Sequence, residues 1–359
     1  MSSVQRLLAK MQTTDLEAFL LIKHETVTKE NVRYVSGFTG TSAYLLITPD
    51  RRVLLTDDRY VQQATAQCPE FEVIDHNRAW PQALAKQVQD MGIRRLGFEA
   101  RGLTVDLLDT VRQALPEVEL VSTVNVVEQL RAIKEPEEVE KLARACQIAD
   151  QTFAHVVRTI RAGVTERDIA LEFECQARRL GALSLAFDLI VVSGLRGSFQ
   201  HGKPTEKVVA PGDFITMDFG ALYDGYLSDC TRTVVIGTAT PRQRDVYNAV
   251  RRAQAAGLAA IRAGTRGTDV FAAVWQEIEA AGYSQWGGRG IGHGVGLEIH
   301  EEPYLQPQGD MVLQAGHVVT MEPGIYIPDW GGVRIEDMVV VTPEGCRVLT
   351  GATKELLEL

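Results

Sequence analysis

A chain of 359 residues, 45% apolar and 23% charged, is long enough for two buried cores and ordinary for a globular protein. Its net charge of −10 argues against nucleic acid or an anionic membrane surface as partner. Five cysteines without a CxxC pair read as reduced thiols of a cytoplasmic protein. The first apolar run, interrupted by Asp15 and Glu17, is too short for a signal peptide or a membrane span.

Residues 3–13 place Val4, Leu7, Leu8 and Met11 on one helical face. AFLLI (18–22) reads as a buried strand. YLLIT and RVLLTD read as two more, separated by the Pro49-Asp50 turn signal. A helix over 59–68, a strand over 71–75, a helix over 79–92 ending at Gly92 and the strand RRLGFEA follow. A helix capped by Thr104 and the strand VELVSTV complete an α/β domain of about 125 residues. The linker is expected at 125–135, giving domains 1–128 and 129–359.

Pro136, with Glu137, Glu138 and Glu140 behind it, opens a long helix. Thr165 and Asp168 open a second in near capping-box spacing. Strands follow, then a second helix pair (QRDVYNAV… and, from Thr268, TDVFAAV…), then strands again. This twice-used order implies an internally duplicated α+β domain.

Five metal-ligand candidates lie in its strands and glycine-rich turns: Asp218, Asp229, His293, Glu322 and Glu336. Asp218 and Asp229 flank ALYDGY, where Asp224-Gly225 is a hairpin signal that brings both carboxylates to one end. Glu322 is fixed by the Pro323-Gly324 that follows it. Glu336 shares a strand face with Arg334, so Asp337 points away and is structural. Carboxylates among Met217, Phe219, Met321 and Ile335 need counter-charges. Four carboxylates and one imidazole suit two divalent cations such as Mn, Co, Fe or Zn, a pairing that can activate a bridging water for hydrolysis. Two further histidines have bland readings. His201, in SFQHGKPT, reads as a surface loop histidine. His300, seven residues beyond His293, is expected on the opposite side of an extended segment and in a different job. GIGHGVG lacks the lysine of a phosphate loop, and no GxSxG elbow occurs.

Taken together, HGKPT, MDFGALYDGYLSDCTRT, HGVGLEIHE, MEPGIY and VRIED resemble, in order, the Xaa-Pro peptidases: Xaa-Pro aminopeptidase and Xaa-Pro dipeptidase (prolidase). NVRYVSGFTGTSAYLLI and LLTDDRYVQQA are similar to that family's creatinase-like N-terminal domain. The resemblance implies a pita-bread catalytic domain behind it, two Mn2+ ions on the five ligands, short peptide substrates cut by a metal-bridging hydroxide, and a homodimer. Asp229 and Glu336 would contact both ions. Glu322 would carry the water's proton, His201 would stand near the scissile nitrogen, His300 near the carbonyl, and Arg334 would orient the site. Arg289 stands where many members have a histidine. It is expected to bind a substrate carboxylate, which would shift the peptidase toward C-terminal release or away from proline, or else to pair with Glu298 or Glu301. A metal-free hydrolase or a non-catalytic binding module on the same fold would have lost ligands that this chain keeps.

Overall fold

The computed structural model describes residues 1–25, 27 and 29–359. The chain divides into two compact units, Met1–Arg131 and Ala132–Leu359.

The first unit holds helices α1 (Ser3–Gln12), α2 (Asn31–Ser36), α3 (Val61–Gln67), α4 (Trp80–Asp90), α5 (Val105–Ala114) and α6 (Val126–Ala132). Its strands are β1 (Ala18–Lys23), β2 (Ala43–Ile47), β3 (Arg52–Thr56), β4 (Glu72–Asp75), β5 (Arg95–Glu99) and β6 (Glu119–Thr123). They form one mixed sheet in the order β4-β3-β2-β1-β5-β6. The central strands are apolar without alternation because both faces are covered. Phe19 and Leu21 enter one core with Leu7 of α1, whereas Leu20 and Ile22 enter the other with Leu84 of α4. Two short helices depart from expectation. α2 occupies NVRYVS, ending at left-handed Gly37, and α6 fills most of the stretch read as a linker.

In the second unit, Pro136 and a Glu135–Glu138 capping box start α7 (Pro136–Val156). Thr165 and Asp168 cap α8 (Glu166–Arg179). Then come β7 (Ser184–Leu185), β8 (Ile190–Ser193), β9 (Phe214–Phe219), β10 (Ala221–Tyr223), β11 (Tyr226–Leu227) and β12 (Cys230–Val235). The order repeats as α9 (Pro241–Ala260) and α10 (Gly267–Ala280). These precede β13 (His293–Gly294), β14 (Glu301–Tyr304), β15 (Val318–Met321), β16 (Gly324–Ile327), β17 (Gly331–Arg334), β18 (Asp337–Val341) and β19 (Cys346–Val348). Thr268 lies inside α10 rather than capping it, and Arg266 at the cap position makes no side-chain cap bond. The α7/α8 pair packs on β8-β9-β12 through Phe153, Phe173 and Phe219. The α9/α10 pair packs on the second set of strands through Val250, Val274, Val319 and Val333. All five cysteines are free. Among the described residues no helix is long and apolar enough to cross a membrane.

Candidate active site

Asp224 (φ 45°) and Gly225 (φ 84°) make the tight turn between β10 and β11, as Asp-Gly in a primed hairpin turn should. Outside it, β9 and β12 pair antiparallel with Asp218 opposite Thr231. Asp229 directly precedes β12, so both acids reach the same end of the ladder. Thr231, two residues beyond Asp229, shares its side of the strand. Its hydroxyl donates to Glu336 Oε2 (2.7 Å) and accepts from Arg334 Nε (3.0 Å). Arg334 Nη2 donates to Asp218 Oδ2 at 2.6 Å, and its Nη1 reaches the Tyr326 hydroxyl and the Gln200 carbonyl, each at 3.1 Å.

The second half of the site hangs on Thr320. It accepts from the His293 backbone N–H (3.0 Å) and donates to Glu322 Oε1 (3.1 Å). His293 Nδ1 lies 3.0 Å from the Gly294 carbonyl, which can only accept, so the proton is on Nδ1 and Nε2 presents a lone pair. That Nε2 is 3.3 Å from Glu322 Oε1 and 3.5 Å from Asp229 Oδ2. Ligand atoms of Asp229, His293 and Glu336 all lie within 4.8 Å of one another.

Electrostatically this cluster is unfinished. Burial pushes the Asp229 and Glu336 carboxyls well above the usual carboxylate range, and their mutual repulsion and that of Asp218 and Glu322 add to it. Burial also raises Glu322 and depresses His293. Arg334 is the cation hydrogen-bonded within this set of four acids. Asp218 Oδ1 and Glu336 Oε1 are buried without a hydrogen-bond partner among the described residues. An acceptor left bare in a low-dielectric site costs about 1–3 kcal/mol unless something cationic meets it. These residues therefore suit divalent cations bound through oxygen and one imidazole nitrogen.

The acids open into a cleft of about 680 Å3 lined by Asp218, Asp229, His293, Glu322, Arg334, His201, His300, Tyr304 and Tyr326. Glu336 lies behind it, 1% exposed.

The profile of metallopeptidase family M24 matches residues 140–343, and that of the creatinase/prolidase N-terminal domain matches residues 4–133. The chain belongs to metallopeptidase family M24. It is a hydrolase with a creatinase-type N-terminal domain and a pita-bread catalytic domain. It is 43% identical to the uncharacterized peptidase YqhT of Bacillus subtilis (strain 168) over 92% of this chain and 93% of that one. The structure of an Xaa-Pro dipeptidase from Bacillus anthracis superposes with a TM-score of 0.95 at 42% identity, covering 99% of both chains. That of an X-Pro aminopeptidase from Thermotoga maritima MSB8 gives 0.93 at 35%, covering 100% of both.

Within the M24 domain, the nine residues singled out from the sequence distribute unevenly. Asp218, Asp229, His293, Glu322, Arg334, His201 and His300 line one cleft, with Glu336 at its back. The expectation that His300 faces away from His293 is overturned, since the rings stand 4.3 Å apart. The segment between them is not extended. β13 pairs antiparallel with β14, so the chain doubles back and returns His300 to the same mouth. Arg289 is exposed beside the cleft, whose wall begins at Gly290. It pairs with neither Glu298 nor Glu301. Its guanidinium lies over the Trp275 ring, and Glu301 is held by Lys134 at 2.9 Å. Asp337 turns away to Arg232 (2.7 Å) and Lys354 (2.6 Å). Sequence reasoning passed over Thr231, Thr320 and Tyr326. The strand alternation of DCTRT carried the signal for Thr231, whereas Thr320 and Tyr326 needed the tertiary pairing.

Proposed function

We propose that the chain is a dinuclear metal-dependent exopeptidase that cuts short peptides at Xaa-Pro bonds. The observation that carries this reading is the convergence of four carboxylates and one imidazole, two buried acceptors still bare, on a cleft that also receives His201 and His300. The names borne by the Bacillus anthracis and Thermotoga maritima proteins support the proline preference. Asp218, Asp229, His293, Glu322 and Glu336 would hold two divalent ions, Mn2+ first and Co2+, Zn2+ or Fe2+ next. When bound, such ions make a coordinated water acidic and polarise a carbonyl.

The side chains supply the rest. Glu322 takes the proton of the attacking water and hands it to the leaving nitrogen. His300, at the mouth beside His293, donates an imidazole N–H to the carbonyl oxygen as charge builds there. His201 faces the scissile nitrogen, which in an Xaa-Pro bond carries no hydrogen and must gain one to leave. Arg334 holds Asp218 and, through Thr231, Glu336. Arg289 meets a substrate carboxylate at the rim. The working assembly is a homodimer, which light scattering checks.

The deciding experiment adds Mn2+ to metal-stripped protein and offers a dipeptide Xaa-Pro, a tripeptide Xaa-Pro-Yaa and a proline-free tripeptide. Cleavage of the first alone makes it a dipeptidase, and release of Xaa from the second an aminopeptidase. Release of the last residue, or indifference to proline, means that Arg289 has redirected the site. No cleavage with two ions bound favours a binding module and overturns the reading.

A further inference from the structure

Glu166 is 0% exposed and lies at the first turn of α8, outside the cleft. A buried carboxylate of this kind must be neutralised or fully hydrogen-bonded. Here it is saturated from a single stretch of chain. Oε1 accepts from the Ser193 N–H (2.8 Å), the Ser193 hydroxyl (3.0 Å) and Arg196 Nε (3.2 Å). Oε2 accepts from Arg196 Nε (3.1 Å), the Thr205 N–H (3.1 Å) and the Thr205 hydroxyl (2.8 Å). Ser193 and Thr205 are the two ends of the loop that carries Gln200 and His201. Glu166 thus closes this loop at its base, and Arg196 Nη2 ties it across to the Lys203 carbonyl at 2.6 Å.

The far side of the loop is fixed as well. Gly197 packs backbone to backbone on β17; a Cβ there would come within 2.8 Å of the Gly332 nitrogen. The Gln200 carbonyl accepts from Arg334 Nη1, the same guanidinium that grips Asp218. His201 itself has no side-chain hydrogen bond among the described residues, so its direction is set by the backbone that carries it.

We infer that Glu166 is a positioning residue: by clamping Ser193, Arg196 and Thr205 it fixes the loop that aims His201 into the cleft. This rests on the proposed role of His201 in Xaa-Pro cleavage, and extends it to a residue that touches neither substrate nor ligand cluster.

The test is a double-mutant cycle of Glu166→Gln and His201→Ala on an Xaa-Pro peptide, with amide exchange of residues 194–205 and metal binding by calorimetry measured on every variant. A small misplacement of a catalytic group costs about 100-fold, so E166Q is expected to lower kcat about 10- to 100-fold with KM within about threefold. E166Q is expected to add nothing to H201A, because residues acting as one unit are non-additive. E166D should recover part of the loss, and metal stoichiometry should be unchanged. Thr205→Val removes one of the six bonds and should show the same masking, smaller, should E166Q not fold. Multiplicative losses in the double variant, or unchanged exchange over 194–205, overturn the inference. The exchange readout decides even where the wild type cleaves no Xaa-Pro peptide, an outcome that sinks the proposed function instead.

Discussion

The guanidinium of Arg289 stands 4.8 Å above the ring of Trp275, beside the cleft and in no ion pair among the described residues. With Arg289 exposed and the Trp275 indole half-buried, this contact is worth on the order of 1 kcal/mol, too little to lock the side chain. It is parked near the mouth and free to take a carboxylate in its place. A charge-assisted hydrogen bond contributes about 1.5–3 kcal/mol, which is about 10- to 100-fold in affinity. Arg289→Ala is therefore expected to raise KM at least about tenfold for peptides with a free C-terminal carboxylate and to leave their C-terminal amides unchanged. Arg289→His should move the profile toward that of the family. Equal effects on acid and amide would remove Arg289 from substrate binding.

Metal loading should stabilise the catalytic unit. Ligands that bind only the folded state add about 2.7 kcal/mol at one hundred times Kd. Mn2+ added to stripped protein should raise Tm by several degrees, whereas Asp229→Asn and Glu336→Gln should flatten that response and lower the bound stoichiometry in calorimetry. A wild-type Tm indifferent to Mn2+, Co2+ and Zn2+ would contradict the assignment of these ligands.

Asp337 is predicted to matter for folding and not for chemistry directly. Its carboxylate receives Arg232, Lys354, Gln254 and Thr350, and both Arg232 and Asp337 side chains are 1% exposed. Removing one partner of a buried ion pair costs about 3–5 kcal/mol. Asp337→Ala should shift the urea midpoint accordingly, and a shift below about 1 kcal/mol would show the network to be slack.

His317 makes stability depend on pH. Burial, with Lys134 adding to it, depresses its pKa to about 4, while the unfolded chain titrates near 6.5. Above pH 6.5 both states are neutral and the full contribution is present. As pH falls from 6.5 to 4 the unfolded chain takes the proton first, and about 3 kcal/mol is lost. His317→Gln, which keeps an acceptor for the Gln314 N–H, should lose correspondingly less between pH 7.5 and pH 4 in urea melts. Parallel losses in both proteins would clear His317 of the effect.

Much of the site could be read from the chain because its signals are local. The Asp-Gly turn between Asp218 and Asp229, and the Pro-Gly after Glu322, are backbone instructions visible in a few letters. The placement of His300 was not, because seven residues rich in glycine obey the strand pairing of β13 with β14 rather than any period of their own. In the first unit, α6 reads as linker in the sequence because seven residues carry too little periodicity to be distinguished from a connection. Glu166 reads locally as an acid matched to a helix N-terminus. Its six hydrogen bonds come from residues 27 to 39 positions away, where no pattern in the sequence points.

The pairing of Lys134 with Glu301, 1% and 7% exposed at the side chain, bears on how the catalytic unit can be cut out. The M24 profile begins at residue 140, downstream of this lysine, yet the strand that follows His300 relies on its charge. A fragment trimmed to the profile would remove Lys134 and its 2.9 Å ion pair with the buried Glu301 carboxylate. Expression of the catalytic half should begin no later than Ala132, where Lys134 and its backbone bond to Gly316 are retained.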